Sequence, residues 1–226
     1  DAINRTKGIQ QLQSTSVSVR MAGIPSLKAH MAWERPSNFR LRGGITSWTG
    51  TDLDLGSNAE SFWMAVRQGP VPSLYYASHA MFDQQLNRQQ LPVSPLWLVE
   101  AMGVIEFDPF ALTSQPQTRS DGMLELTTTV PSAAGSFIRT LVVDPKYGTV
   151  KQVVLRDPTG RLLASSLMSN HKYYDSVQCS LPHLMQIQLV PSGGPPLDLA
   201  VEVGFYGVNS LEGNDPTRFT MPDARG

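Results

Sequence analysis

The chain has 226 residues, a formal net charge of −1, 41% hydrophobic residues and 16% charged residues. No Lys/Arg cluster dominates, which excludes an electrostatic case for nucleic acid or for an anionic membrane surface. The single cysteine, Cys179, excludes an internal disulfide, and the longest apolar runs fall far short of the ~20 residues that span a bilayer.

Bulky apolar residues recur throughout, which argues against disorder, and the Ser, Thr, Gln, Gly and Pro content suits strands and turns. The length fits one large β domain or two small ones. No signal peptide is visible. Residue 1 is Asp rather than Met, which leaves room for a removed signal or lipid-anchor segment.

In chain order, Ala2–Gln13 predicts a short amphipathic helix through Ile3, Ile9 and Leu12, weakened at Gly8. Ser16–Ala22 alternates Val17, Val19 and Met21 as a strand. Lys28–Leu41 reads as two strands around a Pro-Ser-Asn turn. Ala29, Met31 and Trp33 share one face of the first, and Phe39 and Leu41 one face of the second. Gly43-Gly44 marks a bulge or bend. Thr51–Leu55, Ser61–Arg67 and Leu74–Ala77 continue the strands, with Phe62, Met64 and Val66 together and Trp63 opposite.

The period then changes. His79–Asn87 reads as a helix, and Ser94–Met102 gives the best helix signal: Ser94 to cap, Pro95 at the first position, Gly103 to terminate. Leu96, Trp97, Leu98, Val99 and Met102 make it apolar on most sides, the pattern of a buried helix. Strands resume at Gly122–Val130, Phe137–Val143, Val150–Arg156, Leu162–Met168, His183–Val190 and Leu197–Phe205. Asp-Pro turns sit at Asp144–Gly148 and Asp157–Gly160. Short turns between neighbours require antiparallel pairing. The expected architecture is mainly β, one curved antiparallel sheet in a single domain over 1–226, with a helical insertion at about 79–103.

No catalytic or metal constellation emerges. His30, His79, His171 and His183 are scattered without ligand spacing. Cys179 lacks a nucleophile signature and reads as a small buried hydrophobe. Asp52 and Asp54 share a strand face and could pair two carboxylates or hold a cation, although solvated turn-edge charges explain them as well. Phosphate loop, dinucleotide fingerprint and serine elbow are all missing. The chain therefore reads as a non-enzyme without cofactor or metal.

Three segments carry a family resemblance. Glu34-Arg35-Pro36-Ser37-Asn38-Phe39-Arg40, Leu141–Gly148 with its Val-Asp-Pro-Lys-Tyr-Gly turn, and the close Pro216–Pro222 resemble stretches of the bacterial lipoprotein carrier and receptor superfamily, the LolA/LolB-like proteins. Asp54-Leu55-Gly56-Ser57 followed by Phe62-Trp63 is similar to a further segment. The helical middle and the Pro-rich loop Pro191–Pro196 depart from that pattern. The resemblance implies a half-open barrel with helices over its concave face, in the periplasm or outer cell envelope.

It also implies a monomer that takes a lipid or an acylated protein into an apolar cavity, with an envelope protein as a further partner. The residues expected near such a cavity are Met31, Trp33, Phe39, Leu41, Phe62, Met64, Leu74, Tyr76 and Trp97. Nine methionines suit a surface that repacks around flexible ligands. One ~16-carbon chain could supply on the order of 10 kcal/mol before ordering costs. Two alternatives remain: the same residues as ordinary core, and a filled-cavity module that binds protein through its loops or sheet edge.

Overall fold

The structure is a computed structural model and describes residues 2–45, 52–66, 73–82, 92–94, 96–132, 135–211, 213 and 215–223. A 3₁₀ turn at Ile3–Gly8 leads into β1 (Gln11–Met21), β2 (Ile24–Glu34), β3 (Asn38–Gly44), β4 (Leu53–Ser57), β5 (Ser61–Val66) and β6 (Ser73–Ser78). Helix α1 (His79–Phe82), helix α2 (Trp97–Ala101) and a 3₁₀ turn at Pro109–Ala111 follow. The second run is β7 (Gln117–Thr118), β8 (Leu124–Ser132), β9 (Gly135–Asp144), β10 (Thr149–Arg156), β11 (Leu162–Tyr174), β12 (Cys179–Leu189), β13 (Leu197–Val203) and β14 (Gly207–Val208).

All strands join one antiparallel sheet of 14 strands in the order β6-β5-β4-β3-β2-β1-β13-β12-β11-β10-β9-β8-β7, with β14 beside β1. The sheet is a half-barrel and stays open, because β6 and β7 are its two edges. Two meanders, each made of hairpins between sequence neighbours, meet at the β1–β13 seam. There Val17 faces Val203 and Val19 faces Val201.

A register shift at Ser14/Val17 bends β1. Before it, Leu12 pairs with Val208 of β14; after it, the partner is β13. The Gly204 N–H donates to Ser16 O at 2.7 Å at this corner. A Cβ on Gly204 would lie 2.5 Å from Ser16 Oγ and 3.1 Å from Ser16 Cβ, so a side chain here would have to displace the serine.

The inner face is mainly apolar along the long strands. Leu12, Val17, Trp33, Phe39, Leu141, Val153, Met168, Met185 and Val203 are buried in one cluster. Helix α2 and the chain after it fill the inner face of the second meander. Trp97, Val99, Ala101, Met102, Val104 and Ile105 belong to the same cluster. Ser166 Oγ donates to Ala101 O at 2.8 Å. Gly103, at φ +89°, packs so closely that a Cβ would sit 2.5 Å from Pro182 Cδ.

This filler is tied down by polar contacts. Arg139 on β9, inner-facing and buried, donates to Glu100 Oε1 at 2.9 Å, to Glu106 O at 3.2 Å and to Thr128 Oγ1 at 3.2 Å. Asn4 makes a two-way pair with the Phe107 backbone, at 2.8 and 3.0 Å. Arg35 pairs with Glu106 and donates from Nε to Ile9 O at 2.8 Å.

Several sequence expectations need correction. The helix expected over Ala2–Gln13 is only the Ile3–Gly8 turn, and β1 begins at Gln11. Leu12 is a cross-strand partner of Trp33 there, so tertiary pairing overrides the weak helical spacing. The Ser94–Met102 helix is shortened to Trp97–Ala101, although Gly103 does end it. Only His79–Phe82 of the His79–Asn87 helix is described, and 83–87 lie outside the described residues. Phe205 follows β13 and is exposed, while Tyr206 takes the buried place.

Candidate functional site

The expected cavity residues divide among three environments. Cross-strand pairs Trp33–Phe39, Met31–Leu41, Leu41–Leu55, Leu55–Met64 and Phe62–Ala77 place Met31, Trp33, Phe39, Leu41, Phe62 and Met64 on the inner face of β2–β6. Met31, Trp33 and Phe39 are fully packed in the main core. Leu41, Leu53, Leu55, Met64 and Val66 are only half buried. Phe62 and Ala77 form a small cluster separate from that core. Tyr75, opposite Met64, is 41% exposed. The inner face of the β4–β6 wing is thus apolar, with Leu53 and Leu55 packed against the main core and Met64, Val66 and Tyr75 partly open.

Leu74 and Tyr76 lie elsewhere. Tyr76 pairs with Trp63 and Leu74 with Ala65, so both belong to the outer face, and Tyr76 is exposed. An even-numbered reading of β6 is off by one residue, and in a strand that changes the face. Trp97 lies in α2 over the second meander; it is buried, and its indole N–H has no hydrogen-bond partner among the described residues. Leu53, Val66 and Tyr75 share this inner face and were not among the expected cavity residues. Leu53 and Val66 share the alternation of Leu55 and Met64 and could have been read from it. Tyr75 needed the β5–β6 register.

The outer face of this wing is closed by charge. Arg40 grips Asp54 in a bidentate pair, Nε to Oδ1 at 3.0 Å and Nη2 to Oδ2 at 2.7 Å. Its remaining nitrogen donates to Thr217 O and Arg218 O, strapping the C-terminal segment across the sheet. Trp63, fully buried beneath it, donates to Asp54 Oδ1 at 3.2 Å. Asp52 Oδ2 accepts from the Ile45 N–H at 2.7 Å. Both aspartates therefore have structural partners.

The histidines are separate. His79 Nε2 contacts Asn58 O at 2.8 Å and Ser57 Oγ at 3.2 Å. His183 is buried between Tyr174 and Tyr206. Its Nδ1 donates to Val203 O at 2.6 Å, and Tyr174 OH donates to Nε2 at 2.9 Å, the pattern of a neutral ring. Burial holds its pKa below the ordinary value, with Lys172 adding in the same direction. Burial likewise pushes the Cys179 thiol up. Among the described residues no cluster of three or more His, Cys, Asp or Glu could hold a metal, and no helix is long and apolar enough to cross a membrane.

No family model and no curated protein matches the sequence. Solved structures do match. A domain from Vibrio parahaemolyticus described as an outer membrane lipoprotein-sorting protein superposes at TM-score 0.58 and 11% identity, over 96% of this chain and 93% of that one. A LolA superfamily protein from Nitrosomonas europaea superposes at TM-score 0.51 and 13% identity, over 97% and 96%.

The chain has the LolA-like fold. A DUF1329 family protein from Desulfovibrio piger is a further match, at TM-score 0.58 and 9% identity over 96% and 92%. Within this LolA-like fold the three motif segments occupy turns and an outer strap. Glu34–Arg40 spans the end of β2, the β2–β3 turn and the start of β3; Leu141–Gly148 spans the end of β9 and the β9–β10 turn; and Pro216–Pro222 contains Thr217 and Arg218, whose carbonyls Arg40 holds.

Proposed function

We propose that the protein is a non-enzymatic cell-envelope protein that binds a lipid, or the lipidated end of another protein, on the inner face of the β4–β6 wing. The observation that carries this reading is the run of half-buried apolar side chains there, Leu53, Leu55, Met64 and Val66, continued by Leu41 of β3 and lying beside Phe62. Apolar surface exposed on the concave side of a sheet costs free energy that an acyl chain relieves, by about 0.8 kcal/mol per buried CH₂. Met64 can repack around such a chain. The lipoprotein-sorting and LolA-superfamily descriptions of the matching structures agree with a periplasmic or outer-envelope setting.

A second reading is a protein-binding module with no lipid cargo. It is favoured by the way α2 and Val104–Ile105 already fill the inner face of the second meander. Native mass spectrometry of the purified protein, followed by organic extraction and lipid analysis, separates the two. A co-purifying lipid or acylated peptide, displaced by Met64→Glu, supports the first. A clean apo mass and no uptake of a fluorescent fatty acid overturns it.

A further inference from the structure

A cavity of about 270 Å³ opens where the Ile3–Gly8 turn, the β9–β10 turn and the β11–β12 turn meet. It shares no lining residue with the apolar wing. Three separate stretches of chain are held together there by close backbone packing. Gly148, at φ +64°, lies so near Ala2 that a Cβ would sit 2.2 Å from the Ala2 Cβ. Arg5 is drawn across the cleft by donating from Nη1 to Gln178 O at 3.4 Å.

The charged residues that line the cleft are Arg5 and Lys146, both cations; no Asp or Glu lines it among the described residues. The nearby Asp144 carboxylate accepts from the Lys146 backbone N–H at 2.9 Å and so belongs to its own turn. Hydroxyl and amide groups of Thr149, Gln178 and Ser180 supply further donors. Thr149 is only 8% exposed, and its Oγ1 is buried without a hydrogen-bond partner among the described residues. A buried hydroxyl left unpaired is costly, and Thr149, whose Oγ1 is packed into the wall, gains a partner when rotation about Cα–Cβ turns that oxygen toward the cleft it lines.

We propose that this cleft binds a small phosphate-bearing anion, gripped by Arg5 and Lys146 and hydrogen-bonded by Thr149. Three acceptor oxygens on one centre match donors that converge from three turns. A guanidinium offers a fork and an ammonium a point charge to the same group. Free phosphate and a phospholipid headgroup share this chemistry.

The test is isothermal titration of the full chain with inorganic phosphate and, separately, with a soluble short-chain phosphatidic acid, at matched ionic strength. Saturable binding is expected, weakened about tenfold for each charge-assisted hydrogen bond removed by Arg5→Ala or Lys146→Gln. Thr149→Val, nearly isosteric, weakens binding and leaves the circular dichroism unchanged. Lys146 is exposed on a turn, so its variant folds even where others fail. Preference for the lipid identifies a headgroup site; equal binding identifies free phosphate. Absence of binding to both, or binding unchanged in Lys146→Gln and Thr149→Val, overturns the proposal. Fatty-acid uptake by the apolar wing stays the same in these variants, so the two sites fail independently.

Discussion

Arg139 of β9 and Glu100 of α2 meet at 2.9 Å between the sheet and the segment that fills it. Burial pushes the Glu100 carboxyl above its ordinary pKa, and the Arg139 guanidinium pulls the other way. The pair is mostly enclosed, with side-chain exposures of 10% and 28%. Removing one partner strands the other. Arg139→Ala is expected to lower unfolding free energy by about 3 kcal/mol, while Arg139→Met combined with Glu100→Leu costs far less. Urea denaturation of the two variants checks this; equal losses would show that the charges are not coupled.

His183 gives the molecule a pH dependence with a definite sign. Its folded pKa lies below the unfolded value of about 6.5. The groups packed around it are Tyr174, Tyr206 and, by charge, Lys172. In the window below pH ~6.5 the unfolded chain takes up a proton before the folded one does, so stability falls as pH drops. Above that window both states are neutral and the contribution is complete. His171, also lowered by burial, acts in the same direction. The urea midpoint of the wild type should fall more between pH 7 and 5.5 than that of His183→Gln. Parallel curves would contradict the assignment.

Gly56 and Trp63 are cross-strand partners on the outer face. A Cβ on Gly56 would lie 2.2 Å from Trp63 Cζ2. Gly56→Ala should therefore cost about 1–3 kcal/mol, through overpacking alone. Thermal denaturation measures it. Gly122→Ala is not a fair control, since its φ is +80°; Gly8→Ala, with open space around it, is.

Arg40 holds the C-terminal strap through Thr217 O and Arg218 O at 3.0 and 2.9 Å. Arg40→Met leaves Asp54, among the described residues, with the Trp63 indole and the more distant Arg42 at 3.6 Å. The strap should loosen, and trypsin should cut after Arg218 several-fold faster than in the wild type, because cleavage follows local opening. An unchanged rate would place the strap's hold elsewhere.

Much of the fold was legible because strand alternation and turn chemistry are local. Leu53 with Leu55, Phe62 with Met64, and the Asp144 and Asp157 turns needed no knowledge beyond their neighbours. What escaped was set at long range. The Ile3–Leu12 spacing looked helical, yet Leu12 answers to Trp33. Leu74 and Tyr76 went to the wrong face because the β5–β6 register was not in the sequence. Arg139 gave no signal at all, since an arginine inside a strand reads as solvent-facing until the element covering it is known. The Thr149 cleft joins three turns far apart in the chain, which no motif records.

The seam between β1 and β13 also constrains the order of events as the chain is made. Each meander can assemble from hairpins as it emerges, since every pairing within it is between sequence neighbours. Val17 and Val19, however, find Val203 and Val201 only after the chain has been extended through β13. Until then β1 offers an unsatisfied row of backbone groups on one side, the kind of open template that invites a foreign strand. Newly synthesised copies are thus vulnerable longest along the same line that, once joined, unites the two meanders.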